Sequence, residues 1–458
     1  MMRQRVSAAL SLILLGFSQV GSALTTRQES TFTNSVIWAD LADDEVFRVD
    51  DIVYYSASTM HYSPGAPLLR DHAAYVNGVW ASSLGYHESN GVFYCAEGPW
   101  THHDPIPKCY YDLGSLVDTD DTMYIAYGSI DIRLAYIEGS RFYHINGNYY
   151  IWVTKPGDEQ HVLKSTSGPW GPYEARGVIA QMKAPVEGAG APHQGGLVST
   201  QDGRWYYMAF IDVYPGGRAP FSPQVNSMPT VGRPWSQTQT GTGSYVDKFD
   251  GVALNPCWEW NHNPDNSAWS LGYDGLTLRT ATVCEGLYGA ANTLTQRIIG
   301  PRSQATFRLN ISGMVDGDQA GVAALRQLSA YIGIHKVDSV SKVVYVDEIS
   351  MAVRDSLTDW VTTSNGQVKA EGPTIAGSDL WLRIKADIAP PVAGSGAWPN
   401  ATFWFSTDGD NFEQLGPVYE LNNEWFFFMG YRFSVFNWAK TRLGGSILVR
   451  EYELEMLE

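Results

Sequence analysis

Basic charge is scarce in this chain: 31 Lys and Arg stand against 48 Asp and Glu, a formal net charge of −17. Recognition of phosphates needs basic stripes, so this balance argues against a nucleic-acid partner and describes instead an acidic, solvated surface. Helical periodicity of useful length is lacking beyond the first residues, which leaves strands to carry the fold. Long apolar runs are lacking as well. No segment past the N-terminus is long and apolar enough to span a bilayer, so no membrane partner is expected. Cysteine is sparse, with four in 458 residues. None is arranged as Cys-x-x-Cys or at Cys/His zinc spacing, which argues against a zinc site. Their presence fits an oxidising compartment. Their placement suggests Cys95 with Cys109 and Cys257 with Cys284, although four cysteines allow three connectivities.

What the chain does have is aromatic strands behind tight turns. A turn pair followed by an aromatic run occurs at Asp50-Asp51, Asn90-Gly91, Asp120-Asp121, Asn146-Gly147 and Asp202-Gly203. Asn-Gly and Asp-Gly take the positive backbone angles of two-residue hairpins, and the Tyr, Phe and Trp that follow suit a pleated, half-buried surface. A hairpin recurring at wide intervals predicts a β-propeller, in which each blade buries its face against the next. Two of the intervals, Gly91 to Asp121 and Asp121 to Gly147, fall short of the roughly 40 to 50 residues of a four-stranded blade. Either the blades are irregular or segments are missing. Aromatics make up 13% of the chain, with 16 Trp and 26 Tyr. Strand core accounts for most of them, and exposed rings of this kind also stack on sugars.

Organisation follows from composition. Arg3 and Arg5, the apolar run Ala8 to Phe17 and the small residues Gly21-Ser22-Ala23 form a signal peptide over residues 1–23, and so predict a secreted protein. Residues 30–220 hold the repeated hairpin. Residues 221–246, rich in Ser, Thr, Gly, Gln and Pro, form a linker or surface excursion. From 247 to 458 the pattern changes to alternating strands, such as 276–280, 305–309, 342–346 and 402–406, separated by Asp-Gly-Asp turns. That predicts a two-sheet sandwich, so the fold class is all-β, a propeller followed by a β-sandwich. Asn310-Ile311-Ser312 and Asn400-Ala401-Thr402 match the glycosylation tripeptide.

Three carboxylates sit beside aromatic or apolar neighbours and just before predicted hairpins: Asp43, Asp112 and Glu138. Glycoside cleavage needs one carboxyl group to protonate the leaving oxygen and another to activate water or attack carbon. The plainer reading of each is a strand-end carboxylate capping backbone amides.

Several runs together resemble glycoside hydrolase family 43. They are Asp40 to Tyr55, Tyr62-Ser63-Pro64-Gly65-Ala66-Pro67, Gly78-Val79-Trp80-Ala81-Ser82, Cys109-Tyr110-Tyr111-Asp112, Glu138-Gly139-Ser140-Arg141 and Pro192-His193-Gln194-Gly195-Gly196. Trp258 to Pro264 and Asn292 to Arg297 resemble the concanavalin A-like sandwich of one branch, similar to fungal arabinofuranosidases acting on arabinoxylan. The resemblance implies a five-bladed propeller and an inverting mechanism. It makes Asp43 the general base, Glu138 the general acid and Asp112 the third carboxylate, which orients the acid and favours its proton by like-charge proximity. It places Tyr62, Trp80 and Arg218 at the substrate pocket, and His193 on the propeller axis near a structural Ca2+. No cofactor is required for the chemistry.

Departures from the family pattern fall after His72, where Ala73-Ala74-Tyr75-Val76 replaces an expected strand, between Tyr94 and Glu97, and between Gly128 and Ile137. The expected activity is removal of arabinofuranose from arabinoxylan or arabinan by a secreted monomer. Alternatives are a β-xylosidase, or a carbohydrate-binding protein whose incomplete propeller does not catalyse.

Overall fold

The computed structural model describes residues 38–43, 45–50, 52–62, 85–89, 91–94, 111–128, 138–155, 159–179, 184, 186–199, 205–221, 243–261, 263–354 and 360–458. Among these the structure is nearly all β, relieved by a single 3-10 turn at Leu287–Gly289. No helix among them is long and apolar enough to cross a membrane.

Each of the five turn phrases falls in sequence between two strands that pair antiparallel. β1 (Glu45–Val49) pairs with β2 (Ile52–Ser56), and β3 (Gly85–His87) with β4 (Val92–Tyr94). β5 (Tyr111–Val117) pairs with β6 (Met123–Gly128), and β7 (Glu138–Ile145) with β8 (Asn148–Lys155). β9 (Glu159–Ser165) and β10 (Glu174–Ile179) complete a four-stranded sheet on β7 and β8. β11 (His193–Ser199), β12 (Trp205–Asp212) and β13 (Arg218–Phe221) form a three-stranded sheet. The β7–β8 turn shows the local cause. Asn146 and Gly147 take φ of 51° and 73°, the left-handed pair that a two-residue hairpin demands.

The first strands of successive sheets lie side by side, β1 against β11, β11 against β7 and β7 against β5. Their close approach is bought with glycine. A Cβ on Gly114 of β5 would lie 2.4 Å from the Ser140 carbonyl of β7, and one on Gly196 of β11 would lie 3.1 Å from the Tyr143 hydroxyl of β7 and 3.3 Å from Val46 of β1. Any larger residue would push these strands apart.

The C-terminal half is a sandwich of a nine-stranded and a seven-stranded sheet. Strict alternation builds its interior. Along Asp379–Asp387, Leu380, Leu382, Ile384 and Ala386 are buried while their neighbours face outward. Leu382 pairs with Phe307, which in turn pairs with Tyr452, so one layer of large apolar side chains crosses three strands. Each such side chain taken from water stabilises the fold by roughly 1.5–3 kcal/mol. The outer face of the seven-stranded sheet has a second use. Ala323, Tyr331, Val344 and Phe436 on it form one apolar cluster with Met60 and Tyr62 of the N-terminal half. The two halves therefore share a core.

Cys257 and Cys284 do not pair; both are free thiols. Cys257 packs against the core between the sheets and Cys284 against the cluster on the outer face, so the two sulfurs serve different cores. Spacing along the chain does not reveal which side of a sheet a residue faces. The other proposed pair, Cys95 and Cys109, lies outside the described residues, as do the stretches 73–76, 95–97 and 129–137 where strands were expected to be missing.

Candidate active site

Two of the three acids stand where regular pairing fails, and the third, Asp43, lies just before β1. Asp112 lies in an irregularity of β5 between Tyr111 and Gly114, and Glu138 opens one in β7 that runs to Arg141. A third, in β11 between His193 and Gly196, contains Gln194. The backbone is left-handed at Asp43 (φ 56°), Asp112 (φ 46°), Gly139 (φ 61°) and Gln194 (φ 47°). Bulges of this kind re-aim side chains, and non-glycine residues in this region are held there by their surroundings.

The structure brings Asp43, Asp112 and Glu138 together. The Asp112 carboxyl is pushed from its ordinary 3.8 up to about 7, first by burial and then by the negative charges of Asp43 and Glu138. Two influences pull the other way: the Gly139 N–H, donating to Oδ2 at 3.2 Å, and the Arg141 guanidinium. The Gln194 amide also points at Asp112 Oδ2, at 3.5 Å. Gln194 is itself fixed by its N–H, which donates to Thr154 Oγ1 at 2.9 Å, and Thr154 is locked to Gln160.

Asp43 is buried and accepts a 2.6 Å hydrogen bond from the Ser58 hydroxyl on Oδ2. Arg141, almost fully buried, spans the site from below. Its Nε faces Glu45 Oε2 at 3.3 Å, Nη1 donates to the Ser140 carbonyl at 2.8 Å, and Nη2 reaches the Asp43 carbonyl at 3.5 Å. One guanidinium thus joins the strand that opens with Glu138 to the loop that ends in Asp43. Ser58, Arg141 and Gln194 escaped sequence reasoning. Arg141 and Gln194 stood within runs that resemble the family, beside Glu138 and His193, while Ser58 left no trace.

The remaining candidates divide. Tyr62, expected on a pocket wall, is buried in the cluster shared with the sandwich, its ring 4.6 Å from the Arg432 guanidinium. Its position just after the first hairpin gave no sign that a second domain would cover it. His193 begins β11 with Nδ1 bonded to the Ala191 carbonyl at 2.8 Å and its ring edge-on to Phe210. Among the described residues no three His, Cys, Asp or Glu side chains gather as a metal site. Arg218 opens β13, but its side chain, like the whole of Trp80, lies outside the described residues.

Comparison with known proteins settles what this arrangement belongs to. Residues 246–447 match the family model of the β-xylosidase C-terminal concanavalin A-like domain. A solved structure comes from work in which engineering the active site of a family 43 glycoside hydrolase generated an enzyme with endo-xylanase and exo-arabinofuranosidase activity. It superposes with a TM-score of 0.84 at 37% identity, covering 93% of this chain and 100% of that one. The chain belongs to glycoside hydrolase family 43. As a family 43 protein it is a glycoside hydrolase, with the propeller-type half followed by the concanavalin A-like half. A bifunctional family 43 protein of Bacteroides eggerthii superposes with a TM-score of 0.74 at 26% identity, over 94% of this chain and 64% of that one. A β-xylosidase of Formosa agariphila is 24% identical over 92% of this chain and 89% of its own length. That alignment runs over 571 positions against 458 residues here, so more than a hundred positions of the relative have no counterpart in this chain.

Proposed function

We propose that this protein is a secreted, inverting α-L-arabinofuranosidase that releases side-chain arabinose from arabinoxylan. The observation that carries the reading is the meeting of three carboxylates, Asp112 and Glu138 at irregular strand starts and Asp43 just before β1, with Asp112 held protonated toward neutral pH by burial and by the charges of the other two. In this mechanism Glu138 gives its proton to the glycosidic oxygen as the bond to the anomeric carbon breaks. Asp43 takes a proton from a water whose oxygen bonds to that carbon from the opposite face, which inverts its configuration. Asp112 touches neither reacting atom. Its charge state, set by burial and by Asp43 and Glu138 against the opposing pull of Gly139 and Arg141, governs the field in which Glu138 works.

The exo-arabinofuranosidase activity named for the structural relative supports arabinose as the sugar released. The β-xylosidase of Formosa agariphila supports xylose as the second reading. The test is hydrolysis of 4-nitrophenyl α-L-arabinofuranoside against 4-nitrophenyl β-D-xyloside, with the first-formed anomer read by proton NMR. A higher kcat/KM for the arabinofuranoside and an inverted product are expected. A preference for the xyloside transfers the assignment to β-xylosidase, and a retained anomer ends the proposed chemistry. Glu138→Gln is expected to lower kcat on arabinoxylan by about 10²-fold or more. If neither glycoside is cleaved while arabinoxylan still binds, the surplus length of the relative identifies a propeller reduced to carbohydrate binding.

A further inference from the structure

Asp43 ends a segment several of whose anchors lie in the other half. Trp38 accepts on its carbonyl the N–H of Gly300, at 2.9 Å. Asp40 is buried, and its Oδ2 receives both the Gly430 N–H and Arg432 Nη1, each at 2.9 Å. The Asp40 carbonyl accepts Arg297 Nη1 at 2.6 Å. Glu259 ties the two arginines together, with Oε1 2.5 Å from Arg297 Nη2 and Oε2 3.5 Å from Arg432 Nε. Burial alone would raise the Glu259 carboxyl, yet the two guanidinium groups outweigh that and hold it low. All four charged groups come from a buried network in which only Asp40 belongs to the N-terminal half.

The other flank of Asp43 docks on the same place. Ser58, which holds the Asp43 carboxylate, also donates its N–H to the Ala42 carbonyl at 2.9 Å. Three residues further on, His61 bonds through Nε2 to the Phe427 carbonyl at 2.9 Å and stacks on the Phe427 ring at 3.9 Å. Tyr62 lies against Arg432. Both walls of the loop that carries Asp43 therefore rest on residues 427–432 of the sandwich. That support is what a left-handed aspartate needs, because such a backbone persists only where its surroundings over-determine it.

We infer that the concanavalin A-like half is the mount of the base: Asp40, gripped by Gly430, Arg432 and Arg297, is a positioning residue that fixes Asp43 for attack by water. This rests on the assignment of Asp43 as base, and two independent readouts keep the failures apart. In Asp40→Asn the carboxamide keeps an acceptor for Gly430 but loses the ionic bond to Arg432. We expect kcat on the aryl glycoside to fall about tenfold or more with KM within twofold, measured well below the melting temperature. Amide hydrogen exchange across Ser58–Tyr62 is expected to quicken about tenfold. A merely structural Asp40 would lower the melting temperature and leave kcat per folded molecule and this local exchange unchanged, and that result overturns the inference. Faster exchange in a protein that never turned over supports the mount and sinks only the enzymatic reading. Should Asp40→Asn fail to fold, Arg297→Lys offers one ammonium where the guanidinium served both Asp40 and Glu259. The same two measurements then decide.

Discussion

Asp112 shows at the scale of one residue how activity is set against stability. Its carboxyl is neutral in the folded protein up to about pH 7, while in the unfolded chain it ionises near 3.8. Between those values the native state binds the extra proton, so this group's contribution to stability falls as pH rises through that window. Above it a buried carboxylate must sit beside Asp43 and Glu138. Asp112→Asn is therefore expected to raise the melting temperature relative to the unaltered protein at pH 8 and to leave it nearly unchanged at pH 4, while kcat drops. Melting curves of both proteins across this range check it. A difference that shrinks toward pH 8 would mean that Asp112 is not crowded by its neighbours.

Among single elements, the strand starts matter most. The hairpin phrases were legible because a turn is written in two adjacent residues, and each of the five falls between strands that pair antiparallel. The irregularities at Asp112, Glu138 and Gln194 were not, because they arise where β5, β7 and β11 press together and no local propensity records that pressure. For the same reason the carboxylates could be picked out beside their aromatic neighbours, whereas Ser58, Arg141 and Gln194 could not. Their use depends on partners 15, 98 and 82 positions away. The burial of Tyr62 was not legible either, because cover by a distant domain leaves no mark on its sequence neighbours. Gly114 tests the crowding directly. In Gly114→Ala the new methyl group would meet the Ser140 carbonyl. Relief requires β7 to move, at a cost of about 1–3 kcal/mol. A melting temperature lowered by a few degrees, together with a kcat reduced beyond what the lost folded fraction explains, is the expected result. An alanine variant with full activity would show that β7 moves freely without disturbing Glu138.

Over the whole molecule, the buried charges between the halves make folding a joint event. Arg432 is fully buried with Asp40 and Glu259 as partners. Its loss in Arg432→Met leaves two interior carboxylates short of a cation, a change that costs about 3–5 kcal/mol. Urea unfolding followed by tryptophan fluorescence measures this. Because Met60 and Tyr62 belong to a core built mainly from the sandwich, the unaltered protein is expected to melt in one calorimetric transition. Two resolved transitions would mean that the halves fold independently.

The grip of Gly430 and Arg432 on Asp40 has a consequence for anyone who would recombine such proteins. A chimera that joins this N-terminal half to a foreign C-terminal partner inherits a loop cut to fit another surface, so parts that look interchangeable at the level of architecture are matched at the level of single atoms. Successful exchange would have to carry residues 38–43 and 58–62 along with the new partner, as the key travels with its lock.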